Sequence, residues 1–314
     1  AHYLLGTVHA LRGDAESAAR AFDEALHLSP GEIEVQTARD RLSEAQAGRC
    51  LQKFRYNQPM RAAAFSWDGR YAILAGGGGA HEDNSVLVWR VSSGSLAFRL
   101  AGHKYAVSQV CLTPDGEKLI SADSHTIRVW SLETGACLQV MDGNDLDGMG
   151  KSLLLTPDGK QVIARGYTKD YQPLVRLWQI GTGRCVRTFR SKNEDLDTLA
   201  VTPDGGHILG GFNNGQICAW ELRSGKIART LEGHCEAITA IEVARDGMTV
   251  LSGDGGGSLR QWDWSTGQCR SVLTGHSSHV YEIKITPDGK RAVTRSGDHT
   301  VIAWDLESGC SIHR

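Results

Sequence analysis

The stretch "RSGDHTVIAWDLESG", residues 295–309, decides the fold, because versions of it return about every 42 residues. Trp89, Trp130, Trp178, Trp220, Trp262 and Trp304 are separated by 41, 48, 42, 42 and 42 residues, so six units of one kind follow one another. Ahead of each tryptophan stands an Asp-Gly pair, from Asp68-Gly69 to Asp288-Gly289, and four of the six read "TPDG". That is a type I turn signal, with proline at the second place and glycine at the fourth. Behind each tryptophan comes Ser or Thr followed by Gly, at Gly94, Gly135, Gly183, Gly225, Gly267 and Gly309, where a hairpin turn fits. Between these marks lie short runs rich in β-branched residues, such as "YEIKI", "RAVTR" and "TVIAW". Each unit reads as four antiparallel strands joined by tight turns, which is how a chain uses 37 glycines.

The totals narrow the function. Lys plus Arg number 34 and Asp plus Glu 36, a net charge of −2, so no summed basic field draws in a nucleic-acid backbone. No apolar run approaches the ~18 residues of a membrane helix, so no membrane partner is expected. Of eight cysteines none sit as CxxC, and Cys50, Cys137, Cys185 and Cys269 each follow a turn glycine by two places in successive units. Equivalent places on neighbouring units are too far apart to bridge, which predicts reduced structural thiols and a cytoplasmic location.

From about residue 49 the chain resembles a WD-repeat β-propeller, whose blades carry Gly-His before the first strand and Trp-Asp at the end of the third. "GH" stands at Gly102-His103, Gly233-His234 and Gly275-His276, and "WD" at Trp262-Asp263 and Trp304-Asp305. The resemblance implies a hydrogen-bonded chain of His, Ser or Thr, Asp and Trp inside a blade. His276, Thr294, Asp298 and Trp304 match it in full; His103, Ser121, Asp123 and Trp130 match with a turn one residue shorter. The fifth blade offers His234, Ser252 and Trp262, with Gly256 where the family's Asp belongs, and blades one, three and four lack Gly-His. A Ser, His and Asp set also suggests hydrolysis, but its recurrence beside one tryptophan after another fits buried polar groups satisfying one another, not a nucleophile.

Residues 1–46 have helical spacing and resemble a tetratricopeptide repeat, with Leu5, Gly6, Gly13, Ala18, Phe22, Ala25 and Pro30 at the family's places and a capping helix over 32–45. The expected fold is therefore mainly β with a small α N-terminal part: a helical hairpin and capping helix over 1–46, then a WD-repeat β-propeller over 47–314. "GRCLQKF", 48–54, matches the fourth strand "GRCVRTF", 183–189, giving seven fourth strands for six recognisable blades. The expectation is a seventh blade in an intact parent, the alternative a six-bladed ring with one strand left over.

Irregular length collects on one face. The second-third loops swell at "GGGAHEDN", 77–84, and "GYTKDYQP", 166–173, while the links "DGNDLDGMGK", 142–151, and "RSKNED", 190–195, depart from the Gly-His pattern. Eight carboxylates (Glu82, Asp83, Asp142, Asp145, Asp147, Asp170, Glu194, Asp195) face Lys169, Arg190 and Lys192, a local excess of five negative charges. Such a rim steers a basic protein or peptide, with His81, Met149, Tyr167 and Tyr171 adding contact area.

Several motifs fail on spacing. "DGMGKS", 147–152, ends like a phosphate loop but has Asp145 where glycine is required and runs into a strand. "DGNDLDG", 142–148, crowds oxygen ligands yet misses the twelve-residue calcium pattern. No cofactor, metal or catalytic residue is expected. The sequence reads as a non-catalytic interaction scaffold; the alternative is a regulatory or sensory arm of a larger signalling enzyme, since the blades also look like bacterial propellers fused to Ser/Thr kinases.

Overall fold

A computed structural model describes residue 54 and residues 59–78, 83–142, 146–147, 152–168, 170, 172–190 and 195–313. The tetratricopeptide-like segment, 1–46, and most of the first fourth-strand match, 48–53, lie outside the described residues. Among those described, the regular structure is all strand, and no helix is long and apolar enough to cross a membrane.

The strands form six antiparallel sheets in chain order, each with its strands in sequence. Sheet one holds β1 (Met60–Phe65), β2 (Tyr71–Gly76), β3 (Val86–Arg90) and β4 (Leu96–Leu100). Sheet two holds β5 (Gln109–Leu112), β6 (Lys118–Ala122), β7 (Thr126–Ser131) and β8 (Cys137–Asp142). Sheet three holds β10 (Leu153–Leu155), β11 (Gln161–Thr168), β12 (Pro173–Gln179) and β13 (Arg184–Arg190), with the two-residue β9 (Leu146–Asp147) added beside β11. Sheet four holds β14 (Leu196–Val201), β15 (His207–Phe212), β16 (Ile217–Glu221) and β17 (Ile227–Leu231). Sheet five holds β18 (Ile238–Val243), β19 (Thr249–Asp254), β20 (Leu259–Asp263) and β21 (Cys269–Leu273); sheet six holds β22 (Val280–Ile285), β23 (Arg291–Ser296), β24 (Val301–Asp305) and β25 (Ser311–His313). First strands of successive sheets lie against one another, an arrangement consistent with the expected WD-repeat β-propeller.

Both turn signals form as their residues dictate. In the TPDG turns the glycine N–H bonds the threonine carbonyl three residues back, as in Gly116 to Thr113 at 2.8 Å. The threonine hydroxyl then donates to the turn aspartate, 2.5 Å from Thr113 Oγ1 to Asp115 Oδ1, and accepts from Lys118 N at 3.0 Å. Gly267, in a third-fourth turn, has φ of +76°, and a Cβ there would come within 2.6 Å of the Arg229 guanidinium of the preceding sheet. Glycine is needed there for its conformation, whereas the guanidinium end could swing aside. In all six sheets the third-fourth pairing slips register at the tryptophan, a bulge that re-aims the indole.

The hydrophobic core is five clusters, one per junction between successive sheets. At each, the leading sheet offers an aliphatic residue from its second strand (Ile73, Ile120, Ile163, Leu209, Leu251), fully buried in every case. It adds the residue three places before its tryptophan, such as Leu259, and the end of its fourth strand: Leu100, Met141, Phe189, Leu231 or Leu273. The following sheet lays its tryptophan over that surface, so Trp130, Trp178, Trp220, Trp262 and Trp304 are at most 5% exposed. Each such aliphatic burial contributes about 1.5–3 kcal/mol, so the junctions, more than the ladders, hold neighbouring sheets together.

Candidate interaction face

The polar chain inside a sheet sets the platform on which the loops stand. In sheet two, Trp130 Nε1 donates to Ser121 Oγ at 2.8 Å, Ser121 Oγ lies 2.7 Å from His103 Nε2, and His103 Nδ1 lies 3.0 Å from Asp123 Oδ2. Sheet six repeats it with Trp304, Thr294, His276 and Asp298, at 2.8, 2.7 and 3.1 Å. Because an indole N–H only donates, the hydroxyl oxygen accepts it while lying within hydrogen-bond distance of His Nε2, and His Nδ1 faces the carboxylate. Ser121, Ser252 and Thr294 have no exposed surface, so none of them can meet a substrate.

Sheet five corrects the sequence reading. Its acid is Asp254, not the residue at Gly256: His234 Nδ1 lies 2.7 Å from Asp254 Oδ2, with Ser252 and Trp262 completing the chain at 2.7 and 2.8 Å. Asp254 follows its hydroxyl residue by two places, as Asp123 follows Ser121, and that shared offset was the available signal. The extra residue of the longer turn is absorbed after the acid, where Asp254 Oδ1 accepts Gly256 N and Ser258 N at 3.0 and 2.9 Å.

Electrostatics follow the wiring. Burial alone would raise the Asp123 carboxyl, but hydrogen bonds from His103 and from the His125 and Thr126 backbone hold it well below the usual range. At Asp298 the balance is the same, with Thr300, the Ser277 backbone and His276 overcoming burial. Burial depresses His234 below its ordinary value against the pull of Asp254.

Sheets one, three and four lack this chain for a second reason beside the missing Gly-His. Where Ser121, Ser252 and Thr294 stand opposite the residue two before the tryptophan, these sheets have Leu74, Ala164 and Gly210. With no hydroxyl to receive them, the buried Nε1 atoms of Trp89 and Trp178 have no hydrogen-bond partner.

Two of the four irregular segments, 142–151 and 166–173, meet beside sheet three. Backbone pairing sets Tyr167 opposite Asp147 and Thr168 opposite Leu146, so β9 ties the link before sheet three to that sheet's swollen second-third loop. Beneath Tyr167 lies the Arg165 guanidinium, 5.7 Å from the ring centroid. Arg165 is 6% exposed and donates through Nη1 to the carbonyl of Leu196, with Asp197 Oδ1 at 3.7 Å. The neighbouring Asp195 is exposed, its carbonyl accepting Asn213 N at 2.9 Å. His81, Glu82, Asp145, Met149, Lys169, Tyr171 and Glu194 lie outside the described residues.

Asp83 stands apart. It pairs with Arg99 of β4 and accepts Ser85 N at 3.1 Å, so hydrogen bonds from Ser85 and the Arg99 charge hold its carboxyl low. Arg99, on a strand outside the counted segments, pairs with Asp83 and offsets part of the acidic excess, whereas the Arg165 charge is met by the equally uncounted Asp197. Arg165 could have been noticed, because sheets one, two, four and five carry Ala75, Ala122, Gly211 and Gly253 at its place. Among the described residues no cluster of His, Cys, Asp or Glu could hold a metal ion.

Comparison with known proteins agrees with this anatomy. Residues 94–131, 225–263 and 267–305 match the WD domain, G-beta repeat. Each match joins the fourth strand of one sheet to three strands of the next, and the three are those ending in sheets two, five and six, where the polar chain is complete. The chain is 37% identical over 102 residues to an uncharacterized WD repeat-containing protein of Synechocystis sp., covering 32% of this chain and 27% of that one. It is 30% identical over 153 residues to the angio-associated migratory cell protein of Homo sapiens, covering 48% and 33%. To autophagy-related protein 16 of Arabidopsis thaliana it is 23% identical over 191 residues, covering 59% and 36%. The matches thus span about a quarter to just over a third of those relatives' own lengths.

Proposed function

We propose that this chain, a carrier of WD repeats, is a non-catalytic scaffold that binds protein or peptide on its loop-bearing face, at the junction of sheets three and four. The observation that carries the reading is the pairing of Tyr167 with Asp147, which joins two irregular segments into one surface on a rigid base. Carboxylates outnumber cations in the irregular segments, so the favoured partner carries Lys or Arg and is drawn in by charge. Arg165 lies too deep to repel it and holds Tyr167 in place as a contact ring.

The test is fluorescence anisotropy of Lys/Arg-rich, neutral and acidic peptides at low and physiological salt. Asp147→Lys and Tyr167→Ala should weaken the basic set at least about tenfold, and Met248→Ala, at a first-second turn on the opposite face, should not. Equal binding of all three peptide classes, or equal loss with Met248→Ala, refutes the reading.

A further inference from the structure

Two exposed thiols have a cation built in beside them. Cys137 and Cys269 stand opposite Trp130 and Trp262 in the third-fourth pairings of sheets two and five, on the strand that forms the edge of each sheet. Both are unpaired and exposed. Arg128 Nη1 lies 3.8 Å from Cys137 Sγ, and Arg260 Nη1 lies 3.6 Å from Cys269 Sγ, the guanidinium donating to sulfur in each. Each arginine stands two places before its tryptophan, and its guanidinium lies against the glycine of the Gly-His pair. A Cβ at Gly102 or Gly233 would come within 2.8 or 3.0 Å of that Nη1. Link, third strand and fourth strand thus contribute glycine, arginine and cysteine to one arrangement that is made twice.

Among the described residues, the Nε atoms of Arg128 and Arg260 are buried without a hydrogen-bond partner, and neither guanidinium pairs with a carboxylate. Each sulfur therefore sits beside a positive charge that no side-chain anion offsets. Cys185 supplies the contrast. It holds the same place opposite Trp178 in sheet three and is exposed, but that sheet lacks Gly-His, and the sulfur lies 3.9 Å from Thr188 Oγ1 instead.

We propose that Cys137 and Cys269 are sites of reversible thiol–disulfide exchange with small anionic disulfides of the glutathione class. The cysteine thiolate attacks one sulfur of glutathione disulfide, and a protein–glutathione S–S bond forms as the reagent's own S–S bond breaks. Glutathione leaves as a thiolate and takes up the proton that the cysteine released; the reagent disulfide is the oxidant. The guanidinium acts twice, steadying the anion on the attacking sulfur and drawing in a reagent whose carboxylates outnumber its amines.

The test treats the reduced 314-residue chain with glutathione disulfide or with cystamine, a cationic disulfide, and follows the adduct at each cysteine by peptide mass spectrometry. Cys137 and Cys269 should take up glutathione at least about fivefold faster than Cys185, and the advantage should fall below about twofold with cystamine. This comparison needs no substitution, so it stands whether or not a variant folds. Arg128→Gln, with native tryptophan emission, should remove the advantage at Cys137 and keep it at Cys269; Arg260→Gln should do the reverse. Equal glutathione uptake at all three cysteines, an advantage as large with cystamine, or an advantage at Cys137 that survives Arg128→Gln each overturns the proposal.

Discussion

Phe54 lies against Trp89 with ring centroids 5.8 Å apart and planes at 48°, nearly the relation of Phe189 to Trp220 at 6.1 Å and 51°. The second pair is a fourth-strand residue closing a junction, so the first shows that residue 54 performs a fourth-strand residue's packing for sheet one. Phe54→Ala should cost about 2 kcal/mol, less than a fully buried Phe because Trp89 is itself only part-buried. Urea unfolding with tryptophan emission as the probe should show a lower midpoint and a red-shifted native spectrum.

The reassignment of the sheet five acid to Asp254 has a clean consequence. Asp254→Ala strands His234 Nδ1–H and the loop N–H groups of Gly256 and Ser258, and should cost about 2–4 kcal/mol. Gly256→Ala leaves the chain intact and should cost less than about 1 kcal/mol, since only the Glu236 and Asp254 side chains come near, at 3.4 Å or more. Chemical denaturation of both variants checks the order; the reverse order refutes the structural role given to Asp254.

His234 also sets a pH dependence. Its folded form resists protonation, while the unfolded chain takes up a proton near pH 6.5. Between that pH and the lower folded value the unfolded state holds more protons, so stability falls as pH drops through about 6.5 and levels off below the folded pKa. The first-second turn of sheet one acts in a separate window. Hydrogen bonds from Ser66 and the Arg70 backbone bring Asp68 down to about 2, so its contribution holds above the ordinary carboxylate range and is lost as pH falls from about 4 towards 2. Melting temperature against pH should show both limbs, and His234→Gln should flatten only the upper one.

The TPDG turns offer a stabilising change. Sheet five has Ala244 where sheets two, three, four and six have threonine, and Ala244 is as buried as Thr113 and Thr202. Ala244→Thr should restore the bond to Asp246 and the acceptor for Thr249 N, adding about 0.5–1.5 kcal/mol. Differential scanning calorimetry should record a raised melting temperature.

Period, turn residues and alternation determined the six four-stranded sheets, because glycine at positive φ, proline and the Asp-Gly pair act through local sterics that need no neighbour. Two complete His–hydroxyl–Asp–Trp chains were equally legible, since repetition fixes which residues correspond. Tertiary structure decided the rest. Asp254 replaces a place two residues away because a loop of glycines can absorb one extra residue on either side of its acid. Arg99 enters the electrostatics of the loop face by pairing with Asp83, 16 residues before it, and Arg165 reaches from beside its own loop to the Leu196 carbonyl of the next sheet. Packing shows that Val293 and Val301 are part-exposed where their counterparts Leu251 and Leu259 are buried: burial belongs to the partner surface as well as to the strand's own residues.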